Sequence, residues 1–187
     1  MTPETSADTA LNPEGASPAC VLVVDDTIEN LRLLSNMLSE EGYEVRAVTN
    51  GPQALQAVER DPPDVILLDI TMPEMDGYEV CRRLKARDRS KDVPVIFLTA
   101  LTDTADKVRA FDAGGVDYVT KPFQLEEVLA RVKTHVALRQ ARVALAGSYR
   151  RLFNIIFEVP ANRGFIDRVR ELLNAGRARG SEARGGA

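Results

Sequence analysis

Residues 65–69 read VILLD, an uninterrupted aliphatic run that ends in the carboxylate of Asp69. A run without alternating polar residues is typical of a strand covered on both faces, as in the centre of a parallel sheet. Segments with apolar residues at helical spacing precede and follow this run. The stretch therefore predicts a central strand in an α/β fold, with Asp69 at its carboxyl end.

Polar side chains end three further apolar runs in the same way. Residues 21–24 run into Asp25 and Asp26, residues 95–98 into Thr99, and residues 118–120 into Lys121. In an open parallel sheet the carboxyl ends of the strands meet at one edge, where ligands bind. We therefore expect three carboxylates, one hydroxyl and one amine to converge there.

Five units of strand followed by helix make up the body of the chain, which predicts a doubly wound parallel sheet. The predicted strands are 20–25, 43–48, 65–69, 95–99 and 117–120. The predicted helices begin near Ile28, at the Asn50-Gly51-Pro52 turn, near Gly77, near Asp103 and after Pro122. Three helices have inward stripes: Ile28, Leu31, Leu34 and Leu38 in the first, Ala54, Leu55 and Val58 in the second, and Leu125, Leu129, Val132 and Val136 in the fifth.

Charge is distributed unevenly along the 187 residues. Residues 1–127 hold 12 basic and 24 acidic side chains, whereas residues 128–187 hold 12 and 4. The chain thus has an acidic body and a basic tail. Its start does not resemble a signal peptide, and no run approaches the roughly 20 apolar residues of a membrane span, so we expect a cytoplasmic protein without membrane contact.

The carboxylates at the predicted sheet edge suit a hard divalent cation. Magnesium prefers carboxylate and carbonyl oxygens and keeps several waters when few carboxylates are supplied. Asp25, Asp26 and Asp69 would repel one another unless a cation compensates their charge, and Lys121 can supply a fixed positive charge. The inventory predicts a Mg²⁺ site.

Phosphoryl transfer is the chemistry that this inventory favours. An aspartate can act as a nucleophile toward phosphorus, and Asp69 is the best candidate because it ends the most central strand. Lys121 and a metal would neutralise charge on the transferring group. Thr99 can donate a hydroxyl to a phosphoryl oxygen, and Tyr118 can fill the space that a moving Thr99 leaves.

Residues 20 to about 140 resemble the receiver domain of two-component response regulators. The resemblance rests on four motifs: VVDD at 23–26, LLDITMPEMDG at 67–77, LTA at 98–100 and DYVTKPF at 117–123. It implies a five-stranded flavodoxin-like fold. It also implies that the phosphohistidine of a sensor histidine kinase, or of a phosphotransfer protein, phosphorylates Asp69 with the help of Mg²⁺.

The resemblance also assigns roles to single residues. Asp26 and Asp69 would ligate the metal directly, Asp25 would do so through water, and the backbone carbonyl of Thr71 would complete the protein ligands.

Other implied features concern switching and output. Thr99 and Tyr118 match the switch pair of the family, and the Lys121–Pro122 bond matches one that is usually cis. The face formed by helix 4, strand 5 and helix 5 would serve output or homodimerisation.

Two other functions share this fold class. A phosphatase with an aspartyl nucleophile needs a second carboxylate two residues after Asp69, and Thr71 stands there. A flavin-binding domain needs a loop that cradles phosphate after the first strand, where Asp25 and Asp26 would repel one. We therefore expect a phosphoacceptor without a separate enzymatic output.

The segments outside the body suggest four regions: a disordered segment at 1–18, the receiver at 19–140, a helical extension or linker at 141–173 and a disordered tail at 174–187. Leu138, Leu145 and Leu152 fall seven residues apart, which resembles a weak coiled-coil seam, although Gly147 interrupts it.

His135 is expected to be a surface or coil residue. Nucleic-acid binding is not favoured, because a basic helix face is more often solvated or paired. The alternative interpretation is that the chain is a regulatory fragment of a larger enzyme or sensor whose output domain is missing.

Overall fold

The computed structural model describes the backbone of residues 17–100 and 104–158 and the side chains of residues 17–100 and 108–149. Most of the segments predicted to be disordered, 1–18 and 174–187, lie outside this part, as does the predicted start of the fourth helix at Asp103. The chain divides after Arg139 into two compact units. The first contains the sheet, and the described part of the second is helix from Gln140 to Glu158.

Strands and helices alternate in the described residues as the sequence predicts. The strands are β1 Cys20–Val24, β2 Glu44–Val48, β3 Val65–Asp69, β4 Val95–Thr99 and β5 Asp117–Thr120. The helices are α1 Ile28–Glu40, α2 Gly51–Arg60, α3 Gly77–Lys85, α4 Thr104–Asp112 and α5 Leu125–Glu158. The sheet is parallel in the order β2-β1-β3-β4-β5, so the flavodoxin-like α/β prediction is confirmed.

The aliphatic run of β3 is buried on both faces, which explains its lack of alternation. Ile66 and Leu68 pack into one core with α2, α3 and α4, whereas Val65 and Leu67 pack into a second core with α1 and α5. The predicted stripes are largely correct, with two corrections. Ile28 is 45% exposed because it lies at the first turn of α1, and α5 buries Val128 completely while Leu125 and Leu129 are half-buried.

Local signals fix where the helices begin and end. The side chain of Asn50 accepts the backbone N–H of Gln53, and that of Asp76 accepts the N–H of Glu79, so both residues cap helix N-termini. Gly42 follows α1 with φ +85°, a left-handed conformation that glycine adopts without strain. The two caps confirm the predicted helix starts at the Asn50-Gly51-Pro52 turn and near Gly77, and Gly42 marks the turn that ends α1.

The two cysteines are free thiols. Cys81 is fully buried in the core. Cys20 is only partly buried, and its Sγ accepts a hydrogen bond of 3.0 Å from Nε of Arg46. Cys81 therefore behaves as a small buried hydrophobe, whereas Cys20 takes part in a polar contact.

An ion-pair cluster ties α5 to the start of β5. The carboxylate of Asp117 accepts hydrogen bonds from the guanidinium of Arg131 and from the backbone N–H of Tyr118, and it lies 3.1 Å from Nε2 of His135. His135 is 15% exposed, so the prediction of a surface residue is wrong. Burial alone would raise the pKa of Asp117, but the hydrogen bonds from Arg131, His135 and Tyr118 outweigh it and lower the pKa.

We expect Asp117→Asn to lower the free energy of unfolding by about 1–2 kcal/mol at neutral pH, because it removes charge-assisted hydrogen bonds. Since the pKa of Asp117 is depressed in the folded state, its contribution is present above the unfolded pKa of about 3.9 and is lost as the pH falls through the folded value. Urea unfolding followed by circular dichroism at pH 7 and near pH 3 measures this.

The control is Asp61→Asn, which breaks the ion pair with Arg46 at 3.4 Å, where the Asp61 side chain is 73% exposed. This change should cost less than about 0.5 kcal/mol at either pH. If Asp117→Asn lowers the free energy of unfolding by the same amount near pH 3 as at pH 7, the stabilising role of the ionised Asp117 carboxylate is contradicted.

Candidate functional site

Lys121 bridges two carboxylates at the carboxyl edge of the sheet. Its Nζ lies 2.8 Å from Oδ2 of Asp25 and 2.9 Å from Oδ2 of Asp69. Asp25 follows β1, Asp69 ends β3, and Lys121 follows β5, so three strands supply the cluster. Strand register places these ends side by side, and the sheet thereby brings together residues that are 96 positions apart in the sequence.

Asp25 is fully buried and surrounded by donors. Its Oδ1 accepts the backbone N–H of Thr27 at 2.9 Å, and the side-chain amide of Asn30 contacts Oδ1 at 3.1 Å and Oδ2 at 3.0 Å. Together with Lys121, these donors satisfy a charge that would otherwise be costly to bury. Asp25 is therefore held in one orientation by the first turn of α1 and by β5.

The three predicted metal ligands converge in the structure. One carboxylate oxygen from each of Asp25, Asp26 and Asp69 lies within 4.8 Å of the others. Asp26 is exposed and accepts a long hydrogen bond of 3.5 Å from Oγ1 of Thr27, whereas Asp69 is buried. This all-oxygen donor set, open to solvent on the side of Asp26, fits a hard divalent cation such as Mg²⁺.

Burial and mutual hydrogen bonding shift the pKa values of Asp69 and Lys121. Burial raises the pKa of the Asp69 carboxyl, and the hydrogen bond from Lys121 counteracts part of this effect. Burial lowers the pKa of Lys121, but hydrogen bonds to Asp25 and Asp69 outweigh it and raise the pKa. Lys121 is thus a fixed cation beside Asp69.

Thr99 and Thr71 lie next to this cluster. Thr99 is buried at the end of β4, and its carbonyl accepts the backbone N–H of Lys121 at 2.7 Å. The N–H of Thr71 lies 3.4 Å from Oδ1 of Asp69, so the first residues after β3 fold back over the carboxylate. Both residues lie where the sequence predicts, and their roles stay predictions.

Tyr118 lies on β5 between two helices rather than within the carboxylate cluster. Its half-buried ring meets the ring of Phe111 in α4 edge-on, at a centroid distance of 6.3 Å, and the Arg131 guanidinium of α5 lies 5.9 Å from the ring centroid. The side chain therefore contacts both α4 and α5. Its switch role stays a prediction.

Two contributors to the site were not predicted as such. Asn30 was not singled out, although an amide in the first turn after the Asp25-Asp26 pair is a recognisable signal. Gly77 was quoted only as part of a motif. A Cβ there would overlap the carbonyl oxygen of Asp69 and lie 2.9 Å from Cα of Ile70, so only glycine lets the start of α3 lie this close to the end of β3. The Lys121–Pro122 peptide bond is cis, as the resemblance implies.

This arrangement of an acidic cluster and a lysine at the edge of a five-stranded parallel sheet defines a receiver. The family described as response regulator receiver domain matches residues 21–133. The chain belongs to this family, and its matched part is a receiver domain of two-component response regulators.

Known relatives agree with this assignment. Response regulator PleD of Caulobacter vibrioides is 44% identical over 116 residues, which are 62% of this chain and 26% of PleD. A probable cyclic di-GMP phosphodiesterase of Vibrio cholerae is 34% identical over 163 residues, which are 87% of this chain and 36% of that protein. The chain spans between about a quarter and about half of the length of such curated relatives.

A solved structure supports the fold. The crystal structure of a putative response regulator from Chloroflexus aurantiacus superposes with a TM-score of 0.62 at 38% identity, covering 64% of this chain and 98% of that one. In the part of the chain that the structure describes, no helix has the length and apolar character needed to cross a membrane.

We expect Gly77→Ala to destabilise the protein by about 1–3 kcal/mol, because the added methyl group forces the backbone of β3 and α3 apart. The displacement should also slow phosphoryl uptake at the site, since it moves the end of β3. Urea unfolding and the rate of uptake from acetyl phosphate measure the two effects.

Gly147→Ala is the matched control, because a Cβ at Gly147 in α5 meets nothing within 4 Å. This change should leave uptake unaltered and stabilise the helix by roughly 0.5–1 kcal/mol. If Gly77→Ala and Gly147→Ala show the same stability and the same rate of uptake, the close contact between Gly77 and the end of β3 does not require glycine.

Proposed function

We propose that Asp69 is the phosphoacceptor of this receiver. A carboxylate oxygen of Asp69 attacks phosphorus in the phosphohistidine of a sensor histidine kinase or phosphotransfer protein. The P–N bond breaks as the P–O bond forms, and the histidine side chain leaves with the bonding electrons. The bridging of Asp69 and Asp25 by Lys121, at 2.9 and 2.8 Å, is the observation that carries this proposal.

Each neighbouring side chain has a part in this step. Lys121 would follow the developing negative charge from the carboxylate to the phosphoryl oxygens, which stabilises the transition state electrostatically. Asp25 would hold Lys121 in place, because its fully buried carboxylate contacts Nζ at 2.8 Å. The Thr99 hydroxyl would donate to a phosphoryl oxygen, and Tyr118 would follow the movement of Thr99.

The residues that would hold Mg²⁺ are Asp26 and Asp69 directly, Asp25 through water, and the carbonyl of Thr71. The convergence of the three carboxylates within 4.8 Å supports this set. Bound there, the cation would neutralise charge on the phosphoryl oxygens.

Phosphorylation would act through the face formed by α4, β5 and α5 and through the extension of α5, where a second copy of the chain would bind. Exposed apolar side chains support this: Val108, Phe111 and Val116 on or beside α4, and Leu138 and Leu145 on α5.

The proposal also includes a cytoplasmic location and the four predicted regions 1–18, 19–140, 141–173 and 174–187. The receiver would have no enzymatic output of its own.

We expect Asp69→Asn to abolish phosphoryl uptake. Intact-mass analysis after incubation with acetyl phosphate and Mg²⁺ should show one added phosphoryl group on the parent and none on the variant. Asp88→Asn is the control, because the Asp88 side chain is 95% exposed and pairs only with Lys91 of its own loop in the described contacts. Phosphoryl mass on Asp69→Asn, or on another residue of the parent, would end the assignment.

We expect Leu145→Asp to weaken self-association of the phosphorylated chain at least tenfold, because a charge in an apolar seam is strongly unfavourable. Sedimentation of the beryllofluoride-treated protein measures this. Val143→Asp is the matched control, since Val143 is 62% exposed and lies outside the seven-residue seam. Equal self-association of both variants would exclude the extended helix as the interface.

A second candidate is the regulatory part of a longer signalling protein. The match to the Vibrio cholerae phosphodiesterase extends over 163 residues and thus beyond the receiver match at 21–133, which supports a shared extension that leads into an output domain. Sequencing the complete reading frame tests this. An output domain after residue 187 would support it, and a stop codon there would refute it.

A further inference from the structure

Asp25 is the most completely occupied carboxylate of the site. Four contacts reach it: Thr27 N at 2.9 Å, Asn30 Nδ2 at 3.1 and 3.0 Å, and Lys121 Nζ at 2.8 Å. An ionised carboxylate offers about four lone-pair positions. Because Nδ2 lies almost equally far from the two oxygens, one N–H of Asn30 is shared between them, so three protein donors occupy Asp25 and one acceptor position stays open.

Asp26 and Asp69 accept fewer hydrogen bonds from the described residues than Asp25 does. The described contacts of Asp26 consist of one long hydrogen bond from Thr27 Oγ1 at 3.5 Å, and those of Asp69 are Lys121 Nζ at 2.9 Å and Thr71 N at 3.4 Å. These two carboxylates keep more acceptor positions for a cation than Asp25, on which three protein donors compete with a metal-bound water.

We propose that Asn30 is a positioning residue that lowers the affinity of the site for divalent cations. Its amide binds both oxygens of Asp25 through one shared N–H, competes with a metal-bound water for that carboxylate and keeps it oriented toward Lys121. The proposal rests on the proposed function, since it requires that the carboxylate cluster binds Mg²⁺.

The position and chemistry of Asn30 suit this role. It is the third residue of α1, and the fully buried Leu34 anchors the same helix in the core. The amide is neutral, so it satisfies the buried carboxylate without adding a cation that would repel Mg²⁺ or Lys121. Without the amide, Asp25 would carry vacant acceptor positions at a buried site, and an added cation is the partner that can fill them.

The test measures Mg²⁺ affinity by calorimetric titration and by the rise of the unfolding temperature with Mg²⁺, neither of which requires phosphorylation. Asn30→Leu keeps the bulk of the side chain and removes the N–H donor that both oxygens of Asp25 share. We expect this variant to be less stable without Mg²⁺ and to bind Mg²⁺ roughly tenfold more tightly, the effect on an equilibrium constant of one charge-assisted hydrogen bond. Asn30→Ser, which keeps one donor, should lie between the variant and the parent and serves if Asn30→Leu does not fold.

Asn36→Leu is the matched control, because it makes the same replacement on an exposed position of α1. It should bind Mg²⁺ as the parent does. Equal or weaker binding by both Asn30 variants, with normal binding by the parent, would overturn the role of Asn30 and leave the metal site standing. A parent that binds no Mg²⁺, or that binds it equally after Asp26→Asn, would refute the metal site itself and the inference with it.

Discussion

The ion bridge from Lys121 to Asp25 and Asp69 is the constraint around which this structure is organised. Burying two carboxylates side by side is costly unless a cation lies between them and hydrogen bonds satisfy the remaining lone pairs. The protein meets this requirement with one lysine from the end of β5 and with donors from the first turn of α1. The register of the sheet cannot slip without separating these groups, so the packing of the strands and the site depend on each other.

Two apolar cores hold that register. The central strand β3 is buried on both faces, and its aliphatic side chains alternate between the core of α2, α3 and α4 and the core of α1 and α5. The end of β3 is also covered by the start of α3, because Gly77 lets the helix backbone lie directly against Asp69. A rigid, largely apolar scaffold thus presents a small charged cluster at one edge, which suits electrostatic catalysis.

Contacts outside the cluster connect the edge of the sheet to the helices. Arg109 of α4 lies 4.4 Å from the ring centroid of Tyr78 in α3, and Phe111 of α4 contacts Tyr118 of β5. Arg131 of α5 lies over Tyr118 and is bound to Asp117. These ring contacts and ion pairs join α4 to α3 and β5, and α5 to β5.

The sequence by itself determined the order of strands and helices, the burial of β3 and the set of residues at the carboxyl edge. These features follow from local apolar runs, turn residues and the rule that parallel strands end at one edge, so no knowledge of distant contacts was needed. Only the tertiary structure decided that Asn30 contacts both oxygens of Asp25, that Val128 rather than Leu125 is buried, and that His135 pairs with Asp117. Each of these depends on the rotation of a helix about its axis and on side chains from distant segments, because such contacts leave no trace in the local spacing of residues.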